Sequence, residues 1–384
     1  MPLFLLVFFL IYGSAHLYAL AKVRTAFGFG WKGSVAVIPV LGVLCAGPVL
    51  VHVLGTHEMG LAARVASWTG YTWMGLLFFF TWLNLAMDAV NLGAKLLTSA
   101  VGRGPDPLIR YGKVACLALV GLSVGLCAYA TIEASRVRVE HVRILTGKLP
   151  ASVSRLRIAQ ISDVHLGLMV RRRQAIAIAD LVRSVQPDLV VSTGDLVDAR
   201  PNHLDGLAEI FRQISAPLGK FAVTGNHEAY AGIDRSLDFT RRAGFRLLRG
   251  EAVVVGDVLR IVGVDDPTVE AMRLAPSRSE KEILGASISP HFTLLLKHRP
   301  VPPSGVVPQI DLQLSGHTHR GQLFPFRFLV RLAYPFLAGL YPRGADGTLY
   351  VSRGIGTWGP RMRFLSPPEI TVLDVERRPT GSAT

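Results

Sequence analysis

The hydrophobic pattern of this chain changes character near residue 133. Before it lie four uncharged stretches, Pro2–Leu20, Val35–Leu54, Thr69–Met87 and Val114–Ile132, each close to the roughly 20 apolar residues that cross a bilayer as a helix. After it the apolar residues fall into short β-branched runs separated by turns. Leu156–Ile161, Leu189–Ser192, Phe221–Thr224, Leu259–Val264, Phe292–Leu296, Leu312–Ser315, Leu349–Ser352 and Ile370–Val375 read as strands. Val137, Val139 and Val142 alternate with Arg136, Arg138 and Arg143 in the same strand-like way. Helical spacing of Ile176, Ile178, Leu181, Val182 and Val185 predicts a helix over Gln174–Val185, and a second is expected around Leu204–Ile214. Strands alternating with helices, then a strand-rich half, predict a layered α/β domain with two packed sheets.

The expected organisation is a transmembrane region at 1–133, a folded domain at 134–376 and a disordered tail at 377–384. Composition agrees with the first part, since 50% of residues are hydrophobic and mean hydropathy is +0.38. Tyr71, Trp73 and Trp82 suit interface placement. No Lys or Arg precedes the first stretch, which is read as a retained anchor rather than a signal peptide. Asp88, at the edge of the third span, has no evident partner in the sequence. Cys45, Cys116 and Cys127 all fall in the spans, so the folded domain has neither disulfides nor a thiolate-held metal.

The net charge of +14 is read as loop charge facing anionic lipid, with no nucleic-acid-binding motif to set against that. Lys22, Arg24 and Lys32 mark the first loop and Lys95, Arg103, Arg110 and Lys113 the third, whereas the second carries only Arg64. The positive-inside rule puts the richer loops in the cytoplasm and the folded domain outside it.

The chemistry lies on turns that follow the strand-like runs. Asp163 and His165 are two apart, and in extended chain both face one way. Gly194 permits a sharp turn before Asp195, whose two oxygens suit a bridge between cations. Asn226 offers a neutral oxygen, His227 can donate a proton to a leaving group, and Glu228 can orient that imidazole. His298 ends one apolar run, and His317 and His319 follow another at a spacing that serves two adjacent ions. Asp198 is read as a neighbour of the site or a helix cap. Seven N/O side chains and no sulfur indicate hard or borderline divalent ions, as a two-metal hydrolytic site requires.

In this order, Asp163-x-His165, Gly194-Asp195, Gly225-Asn-His-Glu228, the strand-end His298 and Gly316-His-Thr-His319 resemble the calcineurin-like metallophosphoesterase superfamily over roughly residues 155–375. Gly219–Glu228, Gly263–Asp266, Gly316–Gln322, Val351–Gly356 and Pro368–Ile370 look like its bacterial transmembrane branch, except that Arg320 stands where that branch usually has glycine. The resemblance implies a four-layer αββα sandwich, here preceded by a bundle of four transmembrane helices. It implies two divalent ions (Mn, Fe or Zn), with Asp163, His165 and His319 on the first, Asn226, His298 and His317 on the second, and Asp195 bridging. It also makes His227 the catalytic acid or transition-state stabiliser, assisted by Glu228, and a metal-bridging hydroxide the nucleophile.

The segment Leu323–Tyr341 has aromatics, two prolines, Arg327 and Arg331, and reads either as an interfacial lip or as an insert packed on its own domain. The expected activity is hydrolysis of a phosphate mono- or diester, on a membrane or envelope lipid or a lipid-linked molecule, by an integral protein of a bacterial inner membrane. A soluble-nucleotide phosphodiesterase and a non-catalytic metal-binding sensor remain the alternatives.

Overall fold

The computed structural model describes residues 2–57, 59–100, 107–198, 204, 206–285, 288–303, 309–344 and 347–378. It divides into two compact units, residues 1–132 with 359–362, and residues 133–358 with 363–384.

The first unit is helical: α1 (Pro2–Phe27), α2 (Trp31–Cys45), α3 (Gly47–Thr56), α4 (Gly60–Ala100) and α5 (Lys113–Ser135). Three of these are long and apolar enough to cross a membrane, and a fourth span exists if α2 and α3 count as one. Of the four expected spans, the second falls on two helices, because α2 and α3 meet at a bend of 43°. The cause is in the sequence. Pro48 sits in the first turn of α3, where its ring cannot continue the preceding helix and its nitrogen has no proton to donate. The third span is also longer than expected. At 41 residues α4 runs on the order of 60 Å, about twice the hydrocarbon thickness. Polar residues are paired between helices: Asp88 accepts the Tyr18 hydroxyl at 2.6 Å and an ion pair from Lys22, and Trp73 Nε1 donates to His16 at 2.9 Å.

The second unit is mixed α/β with two six-stranded sheets. Its elements follow the chain as β1 (Arg138–Thr146), β2 (Arg155–Ile161), α6 (Arg172–Ser184), β3 (Leu189–Ser192), α7 (Leu207–Arg212), β4 (Lys220–Ala222), α8 (Asn226–Ala231), α9 (Ile233–Arg242), β5 (Arg246–Leu247) and β6 (Glu251–Val255). Then come β7 (Leu259–Gly263), α10 (Pro267–Ala271), α11 (Glu280–Leu284), β8 (Phe292–Leu296), β9 (Leu312–Ser315), α12 (Arg327–Ala333), β10 (Gly339–Pro342), β11 (Thr348–Val351) and β12 (Glu369–Arg377). One sheet has the order β1-β12-β2-β3-β4-β5, the other β10-β11-β9-β8-β7-β6.

Alternation along the strands builds the layers. Ile158, Val191, Ile261, Leu294, Leu296 and Leu314 share a core drawn from both sheets. The intervening Ala159, Ile161 and Val190 face α6, α7 and α9 through Ile178, Val182, Phe211 and Phe239. On the second sheet Val262 and Leu295 turn away from the shared core and meet Leu284 of α11. Parallel neighbours β2, β3 and β4 in one sheet, and β8 and β9 in the other, are therefore buried on both faces and read as continuous apolar runs.

Strands β5, β6 and β10 and helices α8 to α12 were not foreseen, and β10 overlaps the end of the apolar segment Leu323–Tyr341. Of the tail expected at 377–384, the first two residues are described and are ordered against β1. Arg377 closes β12 opposite Thr146, and the Arg378 amide bonds the Thr146 carbonyl at 2.8 Å. Residues 379–384 lie outside the described ones.

Candidate metal centre

Every group singled out in the sequence lies just past the carboxyl end of a parallel strand: Asp163 and His165 after β2, Asp195 after β3, Asn226 and His227 after β4, His298 after β8, His317 and His319 after β9. The backbone pays for this convergence. Asp163, His165, Asp195, His317 and His319 all have positive φ, between 47° and 72°, which non-glycine residues rarely adopt. Gly194, at φ 96°, makes the tightest turn, and a Cβ there would sit 2.6 Å from the Gly225 nitrogen and 2.8 Å from His298 Nδ1.

The side chains meet in three groups, Asp163/His165/His319, His165/Asp195/His227 and Asp195/His298/His317, with the ligand atoms in each within 4.8 Å of one another. His319 Nε2 lies 3.3 Å from Asp163 Oδ1 and 3.1 Å from His165 Nε2. Asp195 Oδ2 lies 3.1 Å from His298 Nε2 and 3.9 Å from His165 Nε2, so one carboxylate faces both sides. His317 Nδ1 is 3.2 Å from His298 Nε2. Asn226 occupies the turn between, directly before His227, whose amide donates to Asp195 Oδ1 at 2.8 Å.

Several neighbours orient these rings. His298 Nδ1 bonds the Thr193 carbonyl at 2.8 Å, an acceptor only, so Nδ1 carries the proton and Nε2 is turned to the centre. The Asp163 carboxylate accepts the His317 amide at 3.0 and 3.1 Å and the Ser162 hydroxyl at 2.5 Å. Fully buried Arg363 brings Nη2 within 2.9 Å of His319 Nδ1 and donates to the carbonyls of Arg353, Gly356 and Ser366. Tyr334, just past α12, sets its hydroxyl 3.0 Å from His317 Nε2.

Glu228 corrects an expectation. It does not hold the His227 ring; its carboxylate accepts the amides of Asp195, Leu196, Val197 and Gly225 at 2.7–3.2 Å. The first turn of α8 carries Glu228 inward, where it clamps the Asp195 loop. The ring of His227 is held instead by Asp198, with Nδ1 2.5 Å from Oδ1, which leaves Nε2 free. Neither Tyr334 nor Arg363 was foreseen; only Asp198 had been marked as a neighbour.

The charges are consistent with a cation site. Burial opposes ionisation of Asp163 and Asp195, yet the adjacent histidines, His319 and His298 foremost, hold both carboxyls well below the usual range. Burial would lower His298, but Asp195 beside it pushes it up to about 10; His227 rises to about 9 against burial through Asp195 and Asp198. His165 and His317 fall to about 3, chiefly by burial. Asn226 Oδ1 is buried with no hydrogen-bond partner, and His165 Nδ1 likewise. Ionised buried carboxylates, imidazole nitrogens drawn to about 3 Å of one another and an orphaned amide oxygen fit a group that binds positive charge in their midst. Divalent cations meet that description.

The sequence pattern of calcineurin-like phosphoesterases matches residues 156–321. An uncharacterised metallophosphoesterase of Aquifex aeolicus is 40% identical over 66% of this chain and 98% of its own length. The chain belongs to the calcineurin-like phosphoesterase family. A further uncharacterised metallophosphoesterase, of Campylobacter jejuni, is 34% identical over 68% of this chain and 69% of its own. A "transmembrane protein with metallophosphoesterase domain" of Danio rerio is 33% identical over 77% and 69%. As a member of this family the protein is a metal-dependent phosphoesterase, and the family normally works with a pair of divalent metals. Arg320 has φ 51°, a conformation glycine adopts without cost.

Proposed function

We propose that this phosphoesterase hydrolyses phosphate esters carried on a membrane lipid or lipid-linked molecule, using two cations that share Asp195. The observation that carries the two-cation reading is the chain of three ligand groups linked through His165 and Asp195. Asp163, His165 and His319 would hold one cation, and Asn226, His298 and His317 the other. Such a pair supplies Lewis acidity to the ester and an acidic water for attack at phosphorus.

The chain's own residues do the rest. Glu228 fixes the Asp195 turn through four backbone amides, so the shared carboxylate is pre-set rather than recruited. Asp198 holds Nδ1 of His227 and leaves Nε2 for the leaving oxygen, to which it delivers a proton. His227 and His317 are only partly buried, so the ester enters on their side.

Helices long enough to span a bilayer and the exposed apolar side chains of α12 support a membrane-borne substrate. Four spans would put both termini on one side of a bacterial inner membrane, and the basic first and third loops would set the catalytic unit outside the cytoplasm. The test uses full-length protein loaded with Mn²⁺ and assayed on a chromogenic diester and monoester, beside Asp195→Asn. The expected result is turnover by wild type and its loss in the variant. Equal or faster hydrolysis of soluble than of lipid esters in matched detergent would remove the lipid part of the reading.

A further inference from the structure

From Leu323 to Arg343 the chain carries Arg327, Arg331 and Arg343 and not one acidic residue. Within it α12 buries none of its side chains. Phe328 and Leu329 are exposed, and Leu332 is 84% exposed. Arg327 and Val330 are half-buried, but the rest of the helix presents Phe328, Leu329 and Leu332 outward where a water-facing helix would carry polar side chains. The Arg327 guanidinium lies 4.8 and 5.2 Å from the ring centroids of Phe324 and Phe328, so positive charge and aromatic surface are held together. Immediately past the helix, Tyr334 turns back to the metal centre, its hydroxyl 3.0 Å from His317 Nε2 and 3.4 Å from Arg299 Nη1.

We infer that α12 is a seat for an anionic lipid surface, and that Tyr334 ties this seat to the His317 side of the metal centre. Exposed Phe and Leu among arginines, in a segment without Asp or Glu, match the apolar boundary and negative headgroups of such a bilayer. A second protein surface would be expected to meet the arginines with carboxylates; the bilayer needs only its headgroups. The inference deepens the proposed function and rests on its membrane-borne substrate: the ester would reach the site past Tyr334 while its acyl chains stay in the bilayer.

The test places full-length protein in nanodiscs of neutral phosphatidylcholine, or of the same lipid with added phosphatidylglycerol. A nitroxide is attached at Leu332→Cys, with Phe328→Cys as a second position, and the signal of the wild-type cysteines is subtracted. Expected is a label accessible to oxygen and shielded from a water-soluble nickel chelate in the anionic discs, and less so in the neutral ones. Arg327→Gln with Arg331→Gln should cut the docked-to-free ratio roughly tenfold or more. A label open to the nickel chelate in both discs overturns the seat. So does a label shielded from both reagents, which would mean a protein occupant. Hydrolysis of the soluble chromogenic diester is read on the same samples. Turnover with a water-exposed label overturns the seat and leaves the phosphoesterase standing. A lipid-docked label on metal-loaded protein without turnover of any ester upholds the seat and overturns the proposed function.

Discussion

Around Asp163, His165 and His319 every candidate ligand is buried, and fully buried Arg363 and Ser162 close the surroundings. Across Asp195 the picture differs: His298 is equally buried, but His317 and His227 are partly open, Asp198 is exposed, and Tyr334 follows an exposed helix. The same ligand chemistry is thus set in two environments. A sealed pocket excludes water and holds its ligands in one geometry, which favours retention of a cation over access for a substrate. The open side must admit the ester and then let product leave. On the proposed reading the contrast makes retention and turnover separable, with Asp195 as the element common to both.

Separability can be broken by substitution on either side. The largest effect short of the shared carboxylate is expected on the open side. His227→Gln should lower kcat about 10²- to 10⁴-fold with both metals still bound, because it removes only the proton donor. Loss of metal together with activity would mean that His227 is a ligand. Arg363→Met, on the sealed side, should weaken metal affinity about 10- to 100-fold while kcat at saturating metal stays near wild type. A fall in kcat that added metal does not restore would show that the two sides are not independent. Metal titration and kinetics at saturating Mn²⁺ are read on both variants.

Much of this centre was legible in the sequence because strand ends are marked by turns. Leu189–Ser192, Phe292–Leu296 and Leu312–Ser315 end where periodicity predicts, and the groups after them converge because β2, β3, β4 and β8, β9 run parallel. The neighbours that orient the rings were harder to see. Arg363 and Tyr334 lie 44 and 17 residues from the histidines they touch, and only tertiary folding closes those intervals. Glu228 was misread because i and i+1 on a helix point apart, and the start of α8 at Asn226 was not foreseen. The bend between α2 and α3 was signalled by Gly47-Pro48, but the apolar run masked it. Strand β5, of two residues, is too short for a period to declare itself.

The central claim is that two cations share Asp195, one on the sealed side and one on the open side. The most direct measurement is metal content per chain by mass spectrometry, on full-length protein equilibrated with excess Mn²⁺ and then desalted. Wild type and His227→Gln should each hold two equivalents, and His319→Ala and His298→Ala one each. A single equivalent in wild type, or loss of all metal from both ligand variants, would contradict a pair of separable sites.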